Sequence, residues 1–192
     1  GIPTTDTQGR ATGWLRWLCG KVAERSARSP EFLEKAVRGF APEVTRYLHT
    51  PNRTRVRDRV VRQLTAQRPS IVIAHSLGSV VAYEALHHAP DAKVELLLTL
   101  GSPLALPGAV FEQLDPAPVA GRGTRPPNVA RWVNVADRGD VIAIPKGALA
   151  QRFDGVEQLP DISIAPLWPH GVLDYLRHPA VLDVLAEHTG EN

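Results

Sequence analysis

Ser76 stands in the run Ile71-Val72-Ile73-Ala74-His75-Ser76-Leu77-Gly78, between a short apolar segment and the start of a helical pattern. These residues predict a strand, a tight turn that carries the serine, and a helix. A serine hydroxyl is a weak nucleophile on its own. A sharp strand-to-helix turn holds its oxygen clear of the sheet, with the helix N-terminus behind it. Such a turn calls for small residues two before and two after the serine, where strand and helix backbones approach. Ala74 and Gly78 occupy those places. The other reading of the same residues is a serine that caps the helix in an ordinary βα turn.

Residues 71–83 resemble the nucleophile elbow of the α/β-hydrolase superfamily, on its lipase and esterase side. The resemblance extends over about 69–185. The family pattern is Gly-x-Ser-x-Gly, and Ala74 replaces the first glycine with the next smallest residue. The resemblance implies a triad in the chain order serine, acid, histidine. Asp137 and Asp140 both follow the apolar segment that ends at Ala136. Asp140 opens Asp140-Val141-Ile142-Ala143-Ile144-Pro145, which resembles the segment after the acid in lipases, so it is preferred. Loop capping is the reading for the aspartate left over. The base is expected at His170, which precedes the last helical pattern and opens a segment similar to the family's H-x-x-Y-L. His178 is the runner-up. His75 falls on the opposite face of its strand, and His87 and His88 suit a helix C-terminus. The Leu77 amide is the implied first oxyanion donor. Ser102, in Gly101-Ser102-Pro103-Leu104, reads as a loop residue near the cleft and not as a second nucleophile.

The elements that must position these groups follow from periodicity. Gly13–Arg28 and a stretch opened by Ser29-Pro30 read as helices. A short helix after Pro42 turns Val44, Tyr47 and Leu48 inward. Thr54–Gln67 is a helix with a Val56, Val60, Val61, Leu64 stripe. The arginines at 53, 55, 57, 59 and 62 read as its solvated faces. Leu77–His88 is the elbow helix. Val94–Leu100 and Asn128–Ala136 are buried strands, with a weaker strand in 156–165. Gly171–Glu187 is a helix that Pro179 divides. The Pro- and Gly-rich stretch 103–128 is expected to form a cap loop, with Phe111, Leu114 and Val119 offered to an apolar pocket. The fold class is therefore α/β, a mostly parallel sheet flanked by helices. Residues 1–68 form a helical and loop region, and 69–192 a hydrolase-like core.

Composition bounds the rest. A chain of 192 residues with 43% hydrophobic content suits one folded core. A net charge of +2 gives no ground for a nucleic-acid partner. Arginine outnumbers lysine 18 to 4, a bias expected of a high-GC bacterial source. One cysteine, Cys19, excludes an internal disulfide and leaves no cysteine set for zinc. No cofactor or metal is called for. No apolar run reaches the ~18 residues of a membrane span, and no signal-peptide pattern stands at Gly1, so the expected location is cytoplasmic. The implied function is hydrolysis of a lipid or small-acyl ester through an acyl-enzyme on Ser76. The alternatives are acyl transfer or cyclisation by the same residues, or a non-catalytic binding module. No buried parallel strand is legible before Ile71. The sheet is therefore expected to be incomplete on its N-terminal side. The missing strands, and with them the second oxyanion donor, would come from a preceding segment or a second chain.

Overall fold

A computed structural model describes residues 42–49, 51–140, 142–143, 148–164 and 170–190. The helices read in Gly13–Arg28 and after Ser29 lie outside these residues. The described helices are α1 (42–48), α2 (Asn52–Gln67), α3 (Leu77–His87), α4 (Ala148–Arg152), α5 (Val172–Arg177) and α6 (Pro179–Thr189). The strands are β1 (Ile71–His75), β2 (Val94–Leu100), β3 (Gly123–Thr124), β4 (Val129–Val135), β5 (Phe153–Asp154) and β6 (Val156–Gln158). The main sheet has the order β1-β2-β4-β6, and every pair in it is parallel. β3 and β5 form a separate parallel pair. The fold is α/β, as the alternation of strand and helix patterns predicts.

Parallel strands covered on both faces read as continuous apolar runs. β2 is such a strand, and Leu96, Leu97, Leu98 and Leu100 are all fully buried. Its side chains divide two cores. Leu97 packs with Trp132, α1, α3 and the 104–114 segment. Leu96, Leu98 and Leu100 pack with Val133, Val135, Tyr175 and α6. Polar groups on the first face satisfy one another across strands. Trp132 Nε1 donates to Thr99 Oγ1 at 3.0 Å, Thr99 Oγ1 to Asn134 Oδ1 at 2.8 Å, and Asn134 Nδ2 to Gln158 Oε1 at 2.8 Å.

Leu64 is buried and Val60 and Val61 half-buried, as the α2 stripe predicts, but Val56 is exposed. Two of the α2 arginines are not simply solvated. Arg53 and Arg57 reach back to the protein, because α3 ends beneath them with a buried acid. Glu84, fully buried, accepts from Tyr47 Oη at 2.7 Å, from Arg53 Nε at 3.1 Å and Nη2 at 2.5 Å, and from the Asp115 amide at 3.2 Å. Arg57 Nη1 donates to Asp115 Oδ2 at 2.7 Å. These bonds fasten the 103–128 segment to α1, α2 and α3. Phe111 and Leu114, offered above as pocket lining, are buried in the first core instead, with Phe111 against Phe153 at 5.4 Å between centroids. Val119 is exposed.

Removing the buried acid of this half-buried pair leaves Arg53 without its carboxylate, and Tyr47 Oη and the Asp115 amide without their acceptor. Glu84→Ala should therefore lower stability by roughly 3 kcal/mol, read from urea denaturation. A loss below about 1 kcal/mol, the scale of an exposed pair, would show that the cluster is effectively solvated.

Candidate active site

The C-terminal ends of β1, β2 and β4 carry the site. β1 runs to His75, and the Ser76 amide extends the ladder by donating to the Leu100 carbonyl at 3.0 Å. The backbone then reverses. Ser76 has φ 52° and ψ −132°, a region that residues with a side chain rarely occupy. Such a conformation costs on the order of 1–3 kcal/mol and persists only when its surroundings hold it. Here the Ser76 carbonyl accepts from the Ser79 amide at 2.9 Å and from Ser79 Oγ at 2.6 Å. Ser79 Oγ and Ser102 Oγ share a proton contact at 2.7 Å, and the Leu104 amide donates to Ser102 Oγ at 3.3 Å. Ser102 thus braces the turn from the β2 end.

Ser76 makes no side-chain capping bond to α3. Its Oγ lies 2.7 Å from His170 Nε2 instead. His170 Nδ1 lies 2.7 Å from Asp140 Oδ2. The partners assign the tautomer. Asp140 accepts the Nδ1 proton, so Nε2 faces the hydroxyl as an acceptor. Asp140 is buried, while the His170 side chain keeps 28% of its surface exposed. Asp140 Oδ1 accepts from the Ile142 amide at 2.9 Å, and Oδ2 also accepts from Tyr175 Oη at 2.7 Å. The Leu77 amide, first in α3, has no partner four residues back and lies next to the hydroxyl in the chain.

Asp137 has a different part. Its Oδ1 accepts from the Gly139 amide and its Oδ2 from the Ile164 amide, each at 2.7 Å. Both oxygens are spent on holding the turn after β4. His178 caps α6, its Nδ1 accepting from the Ala180 amide at 3.2 Å. The structure thus brings Ser76, His170 and Asp140 together and leaves Asp137 and His178 apart from them.

His75 falls on the sheet face opposite α3, in register with Leu100. That face is where α5 packs. The His75 ring therefore stands 4.6 Å from the His170 ring and 5.9 Å from the Tyr175 ring, between centroids. Burial, and then nearby His170, pushes the His75 imidazole down. Among the described residues its Nε2 has no hydrogen-bond partner.

Two glycines have unequal parts. Among the described residues the crowding expected at Gly78 is absent, since a Cβ there would meet none of them within 4 Å. No strand among them pairs with the outer edge of β1, and none of them presses on the turn from that side. Gly101 is the crowded one. Its φ is +54°, and a Cβ would stand 2.6 Å from Asp140 Oδ2, 3.2 Å from His170 Nδ1 and 3.2 Å from Tyr175 Cε2. Sequence reasoning passed over Gly101 and Tyr175. The signals were a glycine at the exit of a buried strand and an aromatic at the fourth position of the final apolar stripe.

No helix among the described residues is long and apolar enough to cross a membrane, and no cluster of three or more His, Cys, Asp or Glu side chains among them could hold a metal ion. No protein-family model, curated protein or solved structure matches the chain.

Gly101→Ala should push Asp140 off His170. The expected result is loss of the downfield Nδ1 proton resonance of His170, with a lower thermal midpoint. A wild-type resonance in the variant would mean that Asp140 can retreat freely. Stability should also fall in acid. His75 is held down by burial, and so, chiefly for the same reason, is His87. Each binds its proton in the unfolded chain near 6.5 and later in the folded one. Their contribution is complete above 6.5 and is lost as pH falls through the depressed folded values. The thermal midpoint should drop between pH 7.5 and 5, and His75→Phe should flatten part of that drop. A midpoint that holds steady across this range would overturn the assignment of buried neutral histidines.

Proposed function

We propose that this chain is a serine hydrolase of α/β-hydrolase type that cleaves a carboxylic ester through an acyl-enzyme. The observation that carries this reading is the unbroken line of contacts from Ser76 Oγ to His170 Nε2 and from His170 Nδ1 to Asp140 Oδ2, each 2.7 Å. In the first step Ser76 Oγ attacks the acyl carbon while His170 Nε2 takes its proton. Asp140 keeps the Nδ1 proton in place and stabilises the imidazolium that forms. The Leu77 amide donates to the oxyanion as charge develops there. Collapse of the tetrahedral intermediate expels the alcohol, which receives its proton from His170. A water then repeats the sequence on the acyl-enzyme, with His170 again as base, and Ser76 is released.

Three supports converge. Strain at Ser76 marks a turn held for a purpose other than helix capping. Ser76 gives its hydroxyl to His170 and none of it to α3. The residues converge at the C-terminal edge of a parallel sheet, where open α/β sheets place their ligands.

A fluorophosphonate probe should label wild-type protein at Ser76 and leave Ser76→Ala unlabelled. On p-nitrophenyl acetate and butyrate, Ser76→Ala should reduce kcat by about 10⁴-fold or more, as for other nucleophile deletions. Equal turnover by wild type and variant, or labelling at another residue, would rule out the acyl-enzyme.

A further inference from the structure

We propose that Tyr175 is a positioning residue for the acid of this site: one phenolic oxygen fixes both Asp140 and the turn that carries it. The inference rests on the serine hydrolase reading and extends it to a residue that touches neither substrate nor nucleophile. Tyr175 Oη donates its proton to Asp140 Oδ2 at 2.7 Å. The same oxygen accepts from the Asp137 amide at 2.9 Å. Asp137 in turn pins Gly139 and Ile164 through its carboxylate. The phenol therefore ties the acid to the start of its own turn, three residues back. Tyr175 is fully buried and belongs to the same apolar cluster as Leu98, Leu100 and Val181, which holds its ring in the core.

The choice of oxygen matters. Asp140 Oδ2 is the atom that faces His170 Nδ1, and it is also the atom that takes the phenolic proton. A second donor on that oxygen draws charge from the bond to the imidazole. Burial, and then the charge of Asp140, pushes the Tyr175 phenol up, so it keeps the proton that it donates. The groups that face this oxygen pair from other elements are His75 on β1 and His170 before α5, with Asp137 and Asp140 after β4. Gly101 leaves the space in which ring and carboxylate meet.

Deleting the hydroxyl has two consequences of different kinds. Charge returns to Oδ2, and protonated His170 is favoured in the resting enzyme. Among the described residues Asp140 is also left with the Ile142 amide as its one donor besides His170. A ring that only filled the core would produce neither effect.

The test compares Tyr175→Phe with a protein carrying 3-fluorotyrosine at position 175, whose hydroxyl is a stronger donor. In Tyr175→Phe the acid limb of the kcat/KM profile for p-nitrophenyl butyrate should move up by about half a pH unit. Its kcat should fall about tenfold, with KM within twofold of wild type. The fluorinated protein should move the limb down. The His170 titration, followed by NMR of ¹⁵N-histidine-labelled protein and assigned with His170→Gln, should shift in the same two directions. If Tyr175→Phe does not fold, the fluorinated protein decides alone. Titrations identical to wild type in the variants that fold, with at most a lower thermal midpoint, would overturn the proposal. The NMR titration needs no turnover. If wild-type protein is not labelled by a fluorophosphonate, the hydrolase reading fails, and the direction of the imidazole shift still decides whether Tyr175 positions Asp140.

Discussion

The Asp140 carboxylate is buried, and a carboxylate removed from water needs donors in its place. Among the described residues three groups supply them: the Ile142 amide, Tyr175 Oη and His170 Nδ1. One comes from the acid's own turn and two from residues 170–175, and each has to arrive within about 3 Å. Much of the local structure follows from that demand. β2 must be followed by a residue without a side chain, because a Cβ at Gly101 would occupy the space of Oδ2. α5 must bring Tyr175 under the sheet end, and the segment before it must bring His170 over. The turn after β4 must be rigid, and Asp137 spends both oxygens on making it so.

Ser76 is held by a separate and complementary set of constraints. Ser76 is tied to β2 through the Leu100 carbonyl and to α3 through Ser79. The two sets meet at the end of β2, where Leu100 serves the serine, Gly101 the acid and Ser102 the brace under the turn. The division of faces makes this possible. The α3 face is a closed core with its own buried acid at Glu84, paired with half-buried Arg53. The α5 and α6 face carries the histidine. A strained turn at Ser76 draws its stability from the first face, while the exposed edge of His170 opens from the second.

What could be read from the residues divides along the same line. β1, α3, β2 and β4 were legible because their burial is periodic or continuous, and local pattern reports that directly. The break at Pro179 was legible because proline cannot continue a helix, and α5 and α6 meet there. The pairing of Ser76, His170 and Asp140 was reachable only through the resemblance, since 94 and 30 residues separate the contacting partners. Gly101 and Tyr175 stood in quoted motifs but were given no role, for a plain reason. Their importance lies in distances to each other across the site, and neither periodicity nor composition encodes such distances. Phe111 and Leu114 were misread because a Pro- and Gly-rich composition suggests an open loop. It says nothing of the Glu84 and Asp115 bonds that fold this one into the core.

The expectation about Gly78 failed in an instructive way, and the failure belongs with the edge of the sheet. The argument for a small residue there assumes crowding from neighbouring backbone. Among the described residues β1 is the outer strand, Ile73 on it is 43% exposed, and the residues before it are helical. A single fact, the absence among those residues of a strand beyond β1, accounts for the free space at Gly78. It also leaves the proposed oxyanion site with one assigned amide among those residues, at Leu77, where the resemblance would supply two. The contacts among Ser76, His170 and Asp140 join the residues that follow β1 and β4 to the residue just before α5, and none of them involves the outer edge of β1. Their geometry is therefore complete without a neighbour for β1. In the proposed hydrolysis, oxyanion stabilisation is the step that depends on what meets that edge.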